Sequence, residues 1–411
     1  MKNYLKMICC LLLGSPFLVH AQPLTNYLKV AAENNPGVKS TYTEFEAALQ
    51  RVAQVNALPD PTLSFGYFIS PVETRVGPQR AKISLGQMFP WFGTLQAKED
   101  MASLRAEARY QEFINARNQL YRNVKSAYYP LYETQEHIQK QQENLAILRT
   151  YKNLALTSFA NARGTMVDVI RIDIMLENTE TDIHLLEDRL KPLTVGFNNL
   201  LNRPDATPIQ MTDSLELVAV QQGYRKDSLL VQNPLLLAID HRIQTASALE
   251  RVAQKNGLPQ FGVALDYVLV DKRTDMDVTD NGKNVFMPMA SMSLPIFRGK
   301  YKAQVKEAQL IQKALVFKKE SITNSLESAF EMTWYQLEKA RQLDALYAKQ
   351  IVKTQQTIDL LYTAYSNSGK DFEELLRLQQ QLLKYETARA TSRKEFYTAL
   401  AELDYLTAKS E

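Results

Sequence analysis

The chain has 411 residues, with 48 basic and 45 acidic side chains and a formal net charge of only +3. This balance gives no support to nucleic-acid binding, which needs a strongly basic surface. The sequence also contains no nucleophile motif, no phosphate-binding glycine loop and no metalloprotease histidine pair, so an enzyme is the class least favoured by its motifs.

The N-terminal segment, residues 1–21, is predicted to be a signal peptide. Lys2 and Lys6 precede a short apolar run, and residues 19–21 supply the small side chains needed before the cleavage point. The apolar run is much shorter than the ~20 residues of a membrane-spanning helix. Both cysteines of the chain lie in this segment. The exported chain is therefore expected to have no disulfide and no thiolate metal site.

The rest of the sequence contains an internal duplication. Residues 51–59 return almost unchanged as residues 251–259, and the Asn-Pro and Pro-aromatic landmarks on either side keep the same order. A repeat this long indicates two copies of one large structural unit rather than a solenoid. We therefore predict a first repeat over 22–202, a polar connector over 203–225 and a second repeat over 226–411.

Each repeat is expected to begin with a short helix followed by one β-hairpin, at about 62–88 and about 261–294. Apolar side chains alternate there with smaller or more polar ones, and this period of two predicts strands with one apolar face. The apolar positions are Leu63, Phe65, Tyr67 and Ile69 in the first repeat and Val263, Leu265, Tyr267 and Leu269 in the second. The strands have the length of tilted transmembrane strands, about nine to eleven residues.

A soluble β-sandwich would show the same alternation. Two hairpins supply only four strands, however, and no other segment of the sequence has a strand pattern that could complete a sheet. Because unpaired strand edges are not tolerated in hydrocarbon, closure must come from other copies of the chain. Three copies with four strands each would close a twelve-stranded barrel.

Polar and aromatic positions fit this arrangement. Asp266 alternates onto the face opposite Leu265 and Tyr267, so it is expected to point into the barrel lumen, because an outward carboxylate would meet lipid. Aromatic residues follow the strand exits and fit an interfacial belt on the periplasmic side; they are Phe89, Trp91, Phe92 and Phe297.

Very long helices are predicted after the hairpins. The segment from Thr94 to about Ala162 contains no glycine and one proline, Pro130, and the segment from Lys300 to about Ser368 matches it in length. At 1.5 Å per residue, each segment forms roughly 100 Å of helix. Lone helices of this length need lateral packing, and side chains spaced by three and four residues form a coiled-coil seam. In the second segment the seam residues are Ile351, Thr354, Ile358, Leu361 and Tyr365.

Each long helix is expected to end at a glycine turn and to be followed by a returning helix. The turns lie near Gly164 and Gly369, where glycine can take the left-handed conformation that ends a helix. Thr165 or Asp371 can cap the returning helix. Two long helical hairpins per chain result.

In order and duplication these features resemble the outer membrane efflux protein (TolC) family, over essentially all of the chain after the signal peptide. The resemblance implies a mainly helical fold with a small transmembrane β part, in which a trimeric barrel continues as an α-helical tube. The matching motifs are Leu58-Pro59, Leu258-Pro259, the strand exits 89–93 and 294–297, the turns at Gly164 and Gly369, and residues 200–204.

The family resemblance implies a passive channel-tunnel in the outer membrane of a Gram-negative bacterium, with its helical part in the periplasm. Its partners would be two further copies of the chain, a periplasmic adaptor (membrane fusion) protein and an inner-membrane pump of the RND type. It would export drugs or heavy-metal cations and need no cofactor. An exported coiled-coil scaffold or adhesin is the alternative, although it explains the helices and not the paired hairpins.

The resemblance also implies two sets of site residues at the helical turns. Acidic residues after the turns would ring the periplasmic gate, with basic residues beside them; an ordinary i,i+3 surface ion pair explains the same spacing equally well. The gate candidates are Asp168, Arg171, Asp371, Glu373, Glu374 and Arg377. The candidates for adaptor docking are Arg163, Gly164, Ser368 and Gly369.

A metal site is weighed because methionines cluster in the last strand. Thioether sulfur suits Cu(I), and Met287 and Met289 share a face of that strand. Met292 falls on the other face and no partner ligand is evident in the sequence. Ordinary strand packing is the preferred interpretation, so no metal ligands are assigned.

Overall fold

The computed structural model describes residues 24–211, 215–218, 232–368 and 372–409. The predicted signal peptide over 1–21 lies outside these residues. So do part of the predicted connector and both Gly369 and Asp371, one a candidate for docking and the other for the gate.

From the helix before the β-hairpin onward, the described elements follow the same order in the two halves of the chain, and the described part of the first half also includes an earlier helix. The first half contains α1 (Leu24–Asn34), α2 (Pro36–Val55), β1 (Thr62–Val72), β2 (Gln79–Phe89), α3 (Thr94–Ala160) and α4 (Met166–Leu200). The second contains α5 (Pro234–Asn256), β3 (Gln260–Val270), β4 (Val285–Ser293), α6 (Arg298–Ser368) and α7 (Phe372–Leu406).

The duplicated Asn-Pro pairs make the same kinds of hydrogen bond in both halves. The Asn35 side chain accepts hydrogen bonds from backbone amides at the start of α2, and Asn233 does so at the start of α5. Each also donates to the last carbonyl of a returning helix, Asn35 to Leu200 at 2.9 Å and Asn233 to Leu406 at 3.0 Å. Because proline needs no amide partner at a first helical position, each pair starts one helix and ties down the end of another.

The four long helices lie side by side in the order α4, α3, α7, α6. The helix α3 runs for 67 residues and continues through Pro130, and α6 runs for 71 residues. The predicted lengths of both helices are thus confirmed. The two hairpins meet through α3 and α7, which leaves α4 and α6 at the two outer edges of the row.

The strands form one antiparallel sheet in the order β1-β2-β3-β4. The central pair, β2 with β3, joins the two halves of the chain, while β1 and β4 form the edges. A mainly helical, internally duplicated fold with a small antiparallel sheet is thereby confirmed.

The apolar core lies between the helices in three clusters, centred on Phe197, Leu375 and Phe396. Ile358 and Tyr365, from the predicted seam of the second long helix, are both buried. Part of the predicted polar connector also joins the core, since Leu215 is buried and its amide donates to the Tyr132 hydroxyl at 3.2 Å. Among the described residues, none of the helices combines the length and the apolar character needed to cross a bilayer.

Candidate functional site

One face of the sheet exposes rows of large apolar side chains. Strand register places Leu63 beside Leu85 and Leu265, and it places Phe65 beside Ile83 and Tyr267. Tyr267 is half-buried and the other five side chains are exposed to solvent, with Phe65 at 71%. Ile69, farther along β1, is 92% exposed. A contiguous apolar surface of this kind marks a face that meets lipid or another protein. The alternation predicted from the sequence is thus present, with its apolar side chains on one face.

Aromatic side chains gather where the strands meet the helices. The Trp91 ring lies 5.4 Å from the Phe261 ring in a stacked arrangement and 6.2 Å from the Phe92 ring. Phe92 and Phe297 are exposed at equivalent positions of the two halves. This placement suits side chains that prefer a membrane interface, and their role as a belt remains a prediction.

The opposite face of the sheet carries Asp266, as the alternation predicted. Its side chain is fully buried, at 0% exposed. The Ser84 hydroxyl donates a hydrogen bond to Oδ1, and the Lys82 ammonium forms an ion pair with Oδ2. A buried carboxylate needs such partners, because an unpaired buried charge is very costly. Lys82 and Ser84 could not be identified from the sequence, because their contact with Asp266 depends on the register between β2 and β3.

The methionines of β4 divide between the faces as the alternation implied. Met287 and Met289 pair with Asp266 and Ala264 on one face, whereas Met292 pairs with Phe261 on the other. Within the part of the chain that the structure describes, no group of three or more His, Cys, Asp or Glu side chains could hold a metal ion.

The turn between α3 and α4 differs from the prediction in one respect. The left-handed residue that ends α3 is Ala162, with φ of 59°, and not Gly164. The amides of Arg163 and Gly164 both donate to the Ser158 carbonyl, at 2.8 and 3.1 Å. A Cβ at Gly164 would lie 3.1 Å from the Ser158 Cβ. Glycine at this position therefore relieves a tight approach to the end of α3 and does not serve a positive φ.

Asp168, one of the gate candidates, takes part in a capping box with Thr165. The Thr165 hydroxyl accepts from the Asp168 amide at 3.3 Å, and the Asp168 carboxylate accepts from the Thr165 amide at 3.1 Å. Such a reciprocal pair satisfies two backbone donors at a helix start. Thr165 therefore caps α4 as predicted, and the Asp168 carboxylate already has a structural partner.

The other described gate candidates form two ion pairs of different kinds. Arg171 on α4 lies 3.0 Å from Glu373 on α7, so this pair links the two helical hairpins. Arg377 donates from Nε to Glu374 at 2.8 Å within α7, and this hydrogen bond lowers the pKa of Glu374. The i,i+3 interpretation therefore fits Glu374 and Arg377, whereas Arg171 pairs across helices and not with Asp168.

Of the docking candidates, Arg163 is exposed at the turn and Gly164 is half-buried. Ser368 is the last residue of α6. The turn that follows Ser368 lies outside the described residues, so the structure shows one of the two expected docking turns.

Tyr365, predicted only as a residue of the helix seam, packs at the tip of the helical hairpins. Its ring is 4.4 Å from the Phe372 ring across the end of the second hairpin. It is buried in the same cluster as Ile172 and Leu375, so side chains from α4, α6 and α7 meet there. Burial raises the pKa of the Tyr365 hydroxyl. The aromatic residue on each side of the turn was the signal in the sequence that could have revealed this contact.

No protein-family model matches the chain. Among curated proteins, nodulation protein T of Rhizobium leguminosarum bv. trifolii is 23% identical over 212 residues, which cover 50% of this chain and 45% of that protein. The chain thus matches about half the length of this relative.

Solved structures match nearly the whole chain. The channel protein CusC has a TM-score of 0.79 at 15% identity, over 94% of this chain and 92% of CusC. The outer membrane protein VceC of Vibrio cholerae has a TM-score of 0.75 at 15% identity, over 93% and 95%. The MtrE outer membrane channel of Neisseria gonorrhoeae, in its open state, has a TM-score of 0.73 at 18% identity, over 93% and 88%. The chain therefore has the fold of the outer-membrane efflux channels of the TolC family.

Proposed function

We propose that the chain is the outer-membrane channel-tunnel of a tripartite efflux system in a Gram-negative bacterium. The observation that carries this proposal is the exposed apolar face of a sheet whose edge strands, β1 and β4, have no partner strand within the described residues. In water such a face would be an aggregation hazard, whereas in a bilayer it is the surface a barrel needs.

The assembly we propose is a homotrimer. Four strands cannot close a barrel, and eight would give a lumen filled by side chains. Twelve strands from three chains leave room for an aqueous pore. The row of helices, like the sheet, has two open edges that neighbouring chains could cover, because α4 and α6 lie at its two ends. Exposed apolar side chains lie on both, at Val167 and Ile170 on α4 and at Leu360 on α6.

The helical tip is the proposed periplasmic end. Its Arg171–Glu373 pair would help to hold the gate closed, and Arg163, Gly164, Ser368 and Gly369 would face a periplasmic adaptor. An inner-membrane pump, of the RND type by family resemblance, would deliver the cargo through that adaptor. The conduit itself does no bond chemistry, so its selectivity rests on bore and charge.

The proposed cargo is a small toxic compound, a drug or a heavy-metal cation. Deleting the gene from its own host, in a background without a redundant homologue, is expected to sensitise cells to at least one such compound, and a plasmid copy should restore resistance. Membrane fractionation should recover the protein with the outer membrane. Unchanged sensitivity across a broad panel of metals and drugs would contradict export and favour the scaffold or adhesin alternative.

A further inference from the structure

Charged residues are scarce in the sheet, and each has a partner. The four strands contain only Arg80, Lys82 and Asp266 as charged residues. Arg80 pairs with Asp271 at the loop end of the sheet, and Lys82 pairs with Asp266 within the sheet. Each strand charge is therefore matched within one chain.

The Lys82–Asp266 pair lies on the face that would line the pore. Asp266 pairs in register with Ser84, on the face opposite the exposed row of Leu85 and Leu265. If that apolar row meets lipid, the pair faces the lumen. The two members differ in accessibility, since the Lys82 side chain is 35% exposed and that of Asp266 is 0% exposed. A permeating ion would therefore meet the ammonium group, with the carboxylate behind it.

We propose that Asp266 sets the ion selectivity of the barrel by neutralising Lys82. This inference rests on the proposed channel function. In a trimer the pair would occur three times at one level of the pore. The positive charge of each Lys82 there would be balanced by the negative charge of an Asp266. The barrel would then discriminate weakly between small cations and anions, although its wall holds three ammonium groups. Without Asp266 the positive charges of the ammonium groups would be unbalanced, and without Lys82 the negative charges of the carboxylates would be unbalanced.

The test is the reversal potential of the purified protein in a planar bilayer under a KCl gradient. Asp266→Asn keeps the shape of the side chain and the Ser84 hydrogen bond, and it should lower the cation-to-anion permeability ratio by about twofold in 0.1 M salt, where screening acts over about 10 Å. Lys82→Gln should raise the ratio. The double variant, Lys82→Gln with Asp266→Asn, should return it to the wild-type value.

Matched controls separate a selectivity role from a structural one. Lys82→Arg keeps the charge, so its permeability ratio should match wild type. Lys82→Gln leaves a buried carboxylate without its partner and could fail to assemble. In that case the permeability ratios of Asp266→Asn and of the double variant can still be compared with wild type. Conducting variants with unchanged ratios would overturn the inference and leave the channel function intact. A wild-type protein without conductance would overturn both.

Discussion

Arg171 on α4 and Glu373 on α7 lie 3.0 Å apart and join the two helical hairpins at their tip. The pair is partly exposed, so in one chain it contributes up to about 1 kcal/mol, and three copies in a trimer could contribute up to about 3 kcal/mol. Arg171→Gln should therefore loosen the proposed gate and raise single-channel conductance.

The control for this prediction is Arg377→Gln, which removes a pair within α7 and no link between hairpins. It is expected to leave conductance near the wild-type value. The swapped double variant, Arg171→Glu with Glu373→Arg, should recover much of the closed behaviour. Equal conductance in wild type and Arg171→Gln would show that this pair does not hold the tip.

The turn at Ala162 offers a stabilising substitution. An L-residue in the left-handed region costs roughly 1–2 kcal/mol, and glycine avoids this at an entropic cost of about 0.5–1 kcal/mol. Ala162→Gly should raise the free energy of unfolding by up to about 1 kcal/mol in denaturant titration of the solubilised protein. Ala160→Gly, at the end of the α3 helix, should lower it by about 0.5–1 kcal/mol. The opposite ranking would contradict the assigned turn.

The buried hydroxyl of Tyr151 should make the protein less stable at alkaline pH. Burial, with smaller effects from Tyr362 and Asp359, raises its pKa to about 12, and the side chain is 5% exposed. Because the unfolded chain releases this proton near pH 10 and the folded chain does not, stability should fall by about 2 kcal/mol between pH 10 and 12.

Tyr151→Phe should make the loss of stability between pH 10 and 12 smaller by about 2 kcal/mol, while other buried tyrosines with raised pKa values, such as Tyr365, keep the remainder. The exposed Tyr335 supplies the control through Tyr335→Phe, which should leave the alkaline loss in place. If both variants lose stability between pH 10 and 12 as the wild type does, the loss comes from other groups.

An arginine placed on the apolar face of the sheet should have a different effect from one placed on the opposite face. Phe65→Arg would place a charge against lipid at a cost of ~2–4 kcal/mol near the membrane centre, so recovery of the protein in the outer membrane should fall. Ser64→Arg changes the neighbouring position, which faces the other way, and should assemble normally. Equal recovery of the two variants would contradict the assigned faces.

The faces of the strands were predictable because side chains alternate along a strand whatever its partners are. Thus Leu265 and Asp266 were placed on opposite faces before any pairing was known. The start of α3 at Thr94 was also predictable, since a long segment without glycine follows a Pro-aromatic-Gly turn.

Contacts between distant segments were not predictable in this way. Lys82 meets Asp266 only because β2 pairs with β3 in one particular register. An ion pair of Arg171 with Asp168, three residues away, was one of two interpretations of the spacing, but Asp168 belongs to a capping box and Arg171 pairs with Glu373. Ala162 was missed because helix-end rules favour glycine at left-handed positions.

Three chains are expected to close one membrane barrel. The most direct test combines the mass of the complex extracted from outer membranes in mild detergent with its conductance in a planar bilayer. The complex should have the mass of three chains, and the same fraction should give stable conductance steps. A monomer that stays in water without detergent and gives no conductance would contradict it.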